Sequence, residues 1–420
     1  MVKSDMSESS KNNEVKQKYL GNKGLIILVS LLSAFVPLST DLYLPALPMM
    51  SEYFHVSQAV TNLTLIMFFV FFSIGMLVFG PLSDKYGRKP VLIMGLVFYL
   101  IGSIMCVFAP NMTLLIFSRI IQAVGGSAAS AVATAIVKDV YSGKKRESVL
   151  SIVQSMTVIS PAVAPVLGSW ILKVTSWRGI FVGLAIIGLA SLVGSILLNE
   201  TLTNYNEGTV MQTLGRLGVV LKNPGFSSML LIFSIVNIAC MAFISASSYI
   251  YQDGFKLTSQ VYSYYFTLNA VGMLFGPFLY LKLAGRLKRE FIIDVCFIVM
   301  IASGILVCIF DNSKPWVFAL ALLPSTIASC CMRPPSTNLM LEQQQKDTGS
   351  ASSLIGGFAM IMGSVGMVIV SFNWSNQVFV IGVLNAVIGL ICGIAWKLTY
   401  KKPYIRHFSE IDMEQYDVAK

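Results

Sequence analysis

At 420 residues, 55 % hydrophobic and 12 % charged, the chain has about half the charged share of a typical soluble domain. That balance excludes a water-soluble globule of this length, because the apolar surface far exceeds what its charge could cover. Stretches of about 20 apolar residues that cross a bilayer account for both numbers. The net charge of +10 is sorted loop by loop, which excludes a nucleic-acid face.

Residues 1–23 are polar, rich in Lys, Ser and Asn, and read as a cytosolic tail with no cleavable signal. Beyond them the pattern predicts an all-α integral membrane protein. Its twelve spans fall at 25–48, 60–82, 91–109, 112–137, 148–172, 179–198, 226–250, 259–281, 291–310, 316–340, 351–371 and 374–396. The polar stretch 199–225 is a central cytosolic linker between six-helix bundles at 24–198 and 226–397, and 398–420 is a second cytosolic tail. Of the 30 Lys and Arg residues, 24 fall in the tails and alternate loops of one side, and only Lys173, Arg178, Lys256 and Lys314 in loops of the other. The positive-inside rule therefore places both termini in the cytosol. All five tryptophans stand at predicted span ends, as interfacial rings do.

Span 1 holds the most informative residue. In PLSTDLYLPALP, Asp41 is the one acid far from both ends of any predicted span. A carboxylate at that depth is costly unless paired or hydrated, which makes it a functional candidate. Pro45 has no N–H to give to the carbonyl of Asp41, so the helix is expected to open there. The expected partner is Arg119 of span 4. By helical rise both lie roughly 10–12 Å below the outer boundary, the condition for a pair. A fixed structural ion pair is the alternative. Against it, such a pair returns little stability for its desolvation, whereas an acid that changes protonation between two environments suits proton coupling.

Residues 80–89, GPLSDKYGRK, form a dense charged segment between two apolar runs and are expected to be a short water-facing loop. The spacing of Gly80, Asp84, Lys85, Gly87, Arg88 and Lys89 resembles the signature between helices 2 and 3 of the major facilitator superfamily. Gly80 is expected to permit close backbone approach, and Asp84 to accept from Arg88 or from a helix N-terminus; topology charges are the plainer reading. Gly80-Pro81 recurs as Gly276-Pro277, and Gly87-Arg88 as Gly285-Arg286, a trace of two pseudo-symmetric halves.

Arg119 and Gln122 resemble the span-4 motif of proton-coupled facilitators. STDLYLPALP, SWRGIFVGLA and NETL (199–202) are similar to the Bcr/CflA branch of drug:proton antiporters. Ser160, Pro161, Pro165 and Gly168 resemble that branch's span-5 motif, with Ser160 where the broader motif has glycine. The resemblance implies the major facilitator fold, a plasma-membrane location, a proton as coupling ion, and a kinked span 5 along the interface between halves. On the residues alone, Pro161 and Pro165 would bend span 5 while Gly168 admits a neighbour, which is also what ordinary small-residue packing looks like.

Tyr43, Gln122, Asn237, Tyr249, Asn269 and Arg333 are candidates to line a substrate cavity. Arg333 lies about 10 Å from the inner end of span 10, where snorkelling or pairing with Asp294 is the bland reading. The seven cysteines show no pairing or ligand spacing, and two histidines make a metal site improbable. No cofactor is expected, and the partners are the bilayer and a small-molecule substrate, with the chain working as a monomer. Without a phosphate-binding G-x-x-x-x-G-K-[ST] string an ATP-driven pump is disfavoured, and nothing points to an enzyme. Export of small hydrophobic or amphipathic compounds against protons is the leading reading. Proton-coupled uptake of a polar metabolite is second, and a non-transporting receptor or scaffold third.

Overall fold

The computed structural model describes residues 17–141, 143–202, 210–311, 314–344 and 348–406. The expected tails up to residue 16 and from 407, and residues 203–209 of the linker, lie outside the described residues. What is described is helical, with no strand.

The first span is broken, as its prolines require. Helices α1 (Gly21–Ser33) and α2 (Phe35–Asp41) are followed by a 3₁₀ turn at Leu44–Ala46 and by α3 (Leu47–Tyr53). The bend between α1 and the segment from Phe35 to Tyr53 is 43°. The remainder of the first half comprises α4 (Gln58–Tyr86), α5 (Arg88–Val107), α6 (Met112–Val140), α7 (Gly143–Val174) and α8 (Trp177–Leu197). The linker contains a short helix, α9 (Val210–Leu221), whose Val220 is fully buried. Next come α10 (Pro224–Tyr249), a π turn at Ile250–Gly254, α11 (Ser259–Ala284), α12 (Arg289–Ile309), α13 (Pro315–Glu342), α14 (Thr348–Ser371) and α15 (Gln377–Tyr400). Among the described residues eleven helices are long and apolar enough to cross a membrane singly, and the bent pair of span 1, taken as one span, makes twelve.

Capping explains several starts. Ser57 accepts from Val60 N at 3.4 Å, Asn111 from Leu114 N at 2.8 Å, and Asn376 from Phe379 N at 3.1 Å, each satisfying a donor of the first turn.

The chain divides into two compact units. One comprises the described residues of Met1–Thr213 with Ser247–Ala270, the other Leu214–Ala246 with those of Val271–Lys420. The first is centred on Leu28, Leu32, Leu96, Val132, Ile136 and Val137, the second on Phe226, Met229, Ile293, Met300, Cys392 and Trp396.

The internal repeat is far clearer in space than in sequence. At Gly168 of α7 a Cβ would lie 1.8 Å from the carbonyl oxygen of Leu42; at Gly366 of α14 it would lie 2.1 Å from that of Ile238. In each unit, then, the fifth span presses a glycine onto the backbone of the first, and Asp41, beside Leu42, has Asn237, beside Ile238, as its counterpart. The turns after these spans match too. His55 and Lys256 have φ 51° and 57°, within Phe54-His55-Val56-Ser57 and Phe255-Lys256-Leu257-Thr258. The expected repeat of Arg88 as Arg286 is corrected. Arg289 opens α12 as Arg88 opens α5, and it pairs with Glu342 at 2.5 Å as Arg88 pairs with Asp139 at 2.9 Å.

Candidate functional site

The break in span 1 sets the geometry. Helix α2 ends at Asp41, and the 3₁₀ turn begins three residues later. Asp41 and Tyr43 thus point to different neighbours. Asp41 is 6 % exposed, and its one side-chain hydrogen bond comes from Thr40 Oγ1 at 3.1 Å. Tyr43, fully buried, hydrogen-bonds Thr64 of α4 and faces Arg119.

Arg119 is fully buried on α6. Its Nη1 donates to Gln122 Oε1 at 2.5 Å, and Gln122 Nε2 donates onward to Ser103 at 2.8 Å. The guanidinium carbon lies 4.8 Å from the Tyr43 ring centroid, 4.3 Å from Phe68 and 5.8 Å from Phe181. Nε and Nη2 have no hydrogen-bond partner among the described residues. The expected ion pair between Asp41 and Arg119 is absent among the described residues. Three aromatic faces take the place of a carboxylate around the cation, and because the helix opens after Asp41, Tyr43 rather than Asp41 is turned toward it. Equal depth was necessary for pairing but did not fix the azimuth.

A set of hydrogen bonds in this unit joins spans 1 and 5 to residues 249–267. Tyr249 meets Ser51 at 3.2 Å, and Gln252 Nε2 donates to the carbonyl of Pro45 at 3.0 Å. Ser263 and Thr267 donate to the carbonyls of Pro165 and Ala162 at 2.9 and 2.8 Å, and Gln260 donates to that of Ser169 at 3.4 Å. Helix α7 runs unbroken past Pro161 and Pro165, and Ser160 is satisfied by the carbonyl of Met156 at 2.7 Å. Asn269 is buried farther along α11.

The 80–89 segment is not the loop that its charge suggests. Gly80 to Tyr86 continue α4, Arg88 begins α5, and the whole turn is Gly87, at φ 99°. Only glycine adopts that angle at no steric cost, and a Cβ there would also meet Glu200 Oε2 at 2.6 Å. Nothing approaches Gly80 within 4 Å of a Cβ, so the close contact expected there is found at Gly87 instead. Arg88 donates to Asp84 at 2.5 Å, Ser83 at 2.7 Å and Asp139 at 2.9 Å. Glu200 of the NETL string accepts from the backbone N–H of Arg88 at 2.9 Å and of Lys89 at 3.0 Å, a carboxylate on the positive end of a helix. Lys89 Nζ reaches the carbonyl of Ile196 at 2.7 Å, and Lys85 lies over the ring of Tyr86. Sequence reasoning missed Asp139 and Glu200 as partners. An acid at the C-terminal end of span 4 and another just past span 6 were the available signals.

In the second unit, two of the expected cavity residues meet. Arg333 Nη2 donates to Asn237 Oδ1 at 3.1 Å, and both line a small cleft with Cys240, Ser329 and Ser336. Asp294, the alternative partner for Arg333, is instead 3.5 Å from Lys397.

A profile of the Major Facilitator Superfamily matches residues 29–367. The chain belongs to that superfamily. It is 29 % identical over 364 residues to the uncharacterized MFS-type transporter YdgK of Bacillus subtilis, across 84 % of this chain and 90 % of that one. It is 24 % identical over 355 residues to the bicyclomycin resistance protein homolog of Haemophilus influenzae, across 81 % and 87 %. A bacterial homolog of the human lysosomal transporter Spinster, inward-facing and occupied, superposes with a TM-score of 0.73 at 14 % identity, covering 92 % of this chain and 98 % of that one; this last likeness is one of fold. The protein is a multi-pass membrane transporter and not an enzyme, and its relatives include drug-resistance proteins.

Proposed function

We propose that the protein exports small hydrophobic or amphipathic compounds in exchange for protons, by alternating access. In this reading it acts as a monomer in the plasma membrane, with both termini cytosolic and no cofactor. The observation that carries the reading is Asp41: a deep carboxylate, buried at a helix break beside a hydroxyl, with no cation bonded to it among the described residues. An acid so placed is a proton-binding group, because it can be charged when its surroundings are wet and neutral when they are dry. The hydrogen bonds of Gln252, Ser263 and Thr267 form the outer closure and must break for the outer side to open. Arg88, with Asp84, Asp139 and Glu200, is the inner tie. The relation to a bicyclomycin resistance protein homolog supports the direction and the substrate class.

The test is transport in liposomes under an imposed pH gradient, with a panel of hydrophobic antimicrobials and a few organic acids, and a pH-sensitive dye. Substrate-linked proton movement that Asp41→Asn abolishes while binding persists supports the reading. Accumulation against a gradient by Asp41→Asn refutes the assignment of Asp41. Proton-driven uptake of the organic acids alone would favour a polar metabolite, and the exposed Arg333 in its cleft is what such a substrate would meet.

A further inference from the structure

A large apolar cavity lies on the second unit, away from Asn237 and Arg333. It is a groove of about 480 Å³ whose walls include Leu279 and Leu283 of α11, Val295 and Val299 of α12, and Leu323 and Ile327 of α13. Helix α11 closes onto α13 at Gly276, where a Cβ would lie 2.6 Å from the Cβ of Cys330. Helix α12 is held to α13 elsewhere, by Ser303 donating to the carbonyl of Ala321 at 2.5 Å. Between these contacts residues of both α11 and α12 line the groove. The walls stay partly exposed, as Leu279 at 40 % and Val295 at 39 % show, so the groove opens sideways to the acyl chains of the bilayer.

The rim at one end differs in kind. Residues 282–288 read KLAGRLK, and the lining residues Leu283 and Leu287 alternate with Lys282, Arg286 and Lys288. All three cations are exposed, and none has a side-chain hydrogen bond or ion pair among the described residues. Their neighbour Arg289 is already engaged by Glu342. By charge sorting this is the cytosolic end. An apolar groove with unneutralised cations at the cytosolic headgroup level matches one kind of occupant, with an anionic head and a hydrocarbon tail.

We propose that the groove and its rim bind one anionic phospholipid, its acyl chain between α11, α12 and α13 and its phosphate against Arg286 and Lys288, with Lys282 beside them. The site stands independently of the direction or coupling of transport.

The experiment is native mass spectrometry of the purified full chain offered phosphatidylglycerol and phosphatidylcholine of the same acyl length. Wild type is expected to retain one phosphatidylglycerol in preference, by about tenfold or more. Arg286→Gln with Lys288→Gln, a surface change that leaves the core alone, loses the preference. Val299→Trp, which fills the groove, loses the bound lipid. Lys401→Gln with Lys402→Gln removes equal charge elsewhere and keeps the preference. Excess glycerol phosphate leaves the lipid in place. The proposal is overturned by a wild type without preference, by equal losses from the two charge variants, by retention in Val299→Trp, or by displacement with glycerol phosphate, which would reduce the site to an anion site.

Discussion

Replacing Arg88 with alanine removes three side-chain bonds and leaves the backbone N–H bonded to Glu200 in place. Hydrogen bonds to charged groups are worth about 1.5–3 kcal/mol each, but exposure discounts them. The side chain of Asp84 is 44 % exposed, so its share falls to about 0–1 kcal/mol. That of Asp139 is 19 % exposed and keeps about 1.5–3 kcal/mol. From the two carboxylates the state with this tie made therefore loses about 1.5–4 kcal/mol, and a state with it broken loses nothing. The ratio of the two states shifts by roughly tenfold to several hundred-fold. Thermal unfolding in detergent and initial transport rates should both rank the variants, with Arg88→Ala worst, then Asp139→Asn, and Asp84→Asn mildest. Arg88→Lys should resemble alanine more than wild type, because one ammonium cannot reproduce the planar fork that spans Asp84 and Asp139. If Asp84→Asn costs as much as Asp139→Asn, burial does not set the strength of this node and the reasoning is wrong.

Other consequences are equally open to measurement. Under the proposed proton coupling through a single deep acid, one proton falling through about 100 mV and one pH unit supplies about 3.7 kcal/mol. A neutral substrate should therefore reach at most a few-hundred-fold gradient, and accumulation measured well above that would require a second proton site. Gly168→Val should stop transport while Gly183→Ala does not, because a Cβ at position 168 overlaps the Leu42 carbonyl, whereas at 183 the nearest atom is 3.8 Å away. Gly366→Val should reproduce the Gly168→Val defect, as its repeat mate. Ser263→Ala combined with Thr267→Ala removes two ties to α7 worth about 1 kcal/mol each, and should raise labelling of an outer-facing probe about tenfold or more; unchanged labelling would show that the closure does not depend on them.

The spans were legible because a bilayer demands runs of fixed length and internally bonded backbone, so hydropathy and charge sorting constrain them from independent directions. The break near Pro45 was legible for the same kind of reason, a missing N–H. Partners were harder. Helical rise gave Asp41 and Arg119 a common depth but no azimuth, and the aromatic cage of Tyr43, Phe68 and Phe181 reads in sequence as ordinary packing. The charge density of the 80–89 segment suggests irregular backbone, whereas a single glycine, Gly87, suffices for the turn. Trp177 and Trp396 stand at span ends as expected but are 2 % and 1 % exposed: Trp177 is packed among Tyr53, Phe54 and Phe181, and Trp396 against Phe233 and Tyr400. The repeat stayed faint because the match lies in which backbones touch, as at Gly168 and Gly366, and few side chains need agree for that.

The pairing of Asp41 with Asn237 across the repeat makes the molecule an unequal machine built from equal parts. Carboxylate and carboxamide differ by one heavy atom and hardly in volume, yet one can take up and release a proton and the other cannot. Under the proposed coupling, stoichiometry is set by an exchange of oxygen for nitrogen at one of two equivalent places, with the scaffold indifferent to the choice. A chain of this plan could gain or lose a unit of driving force without rebuilding a single helix.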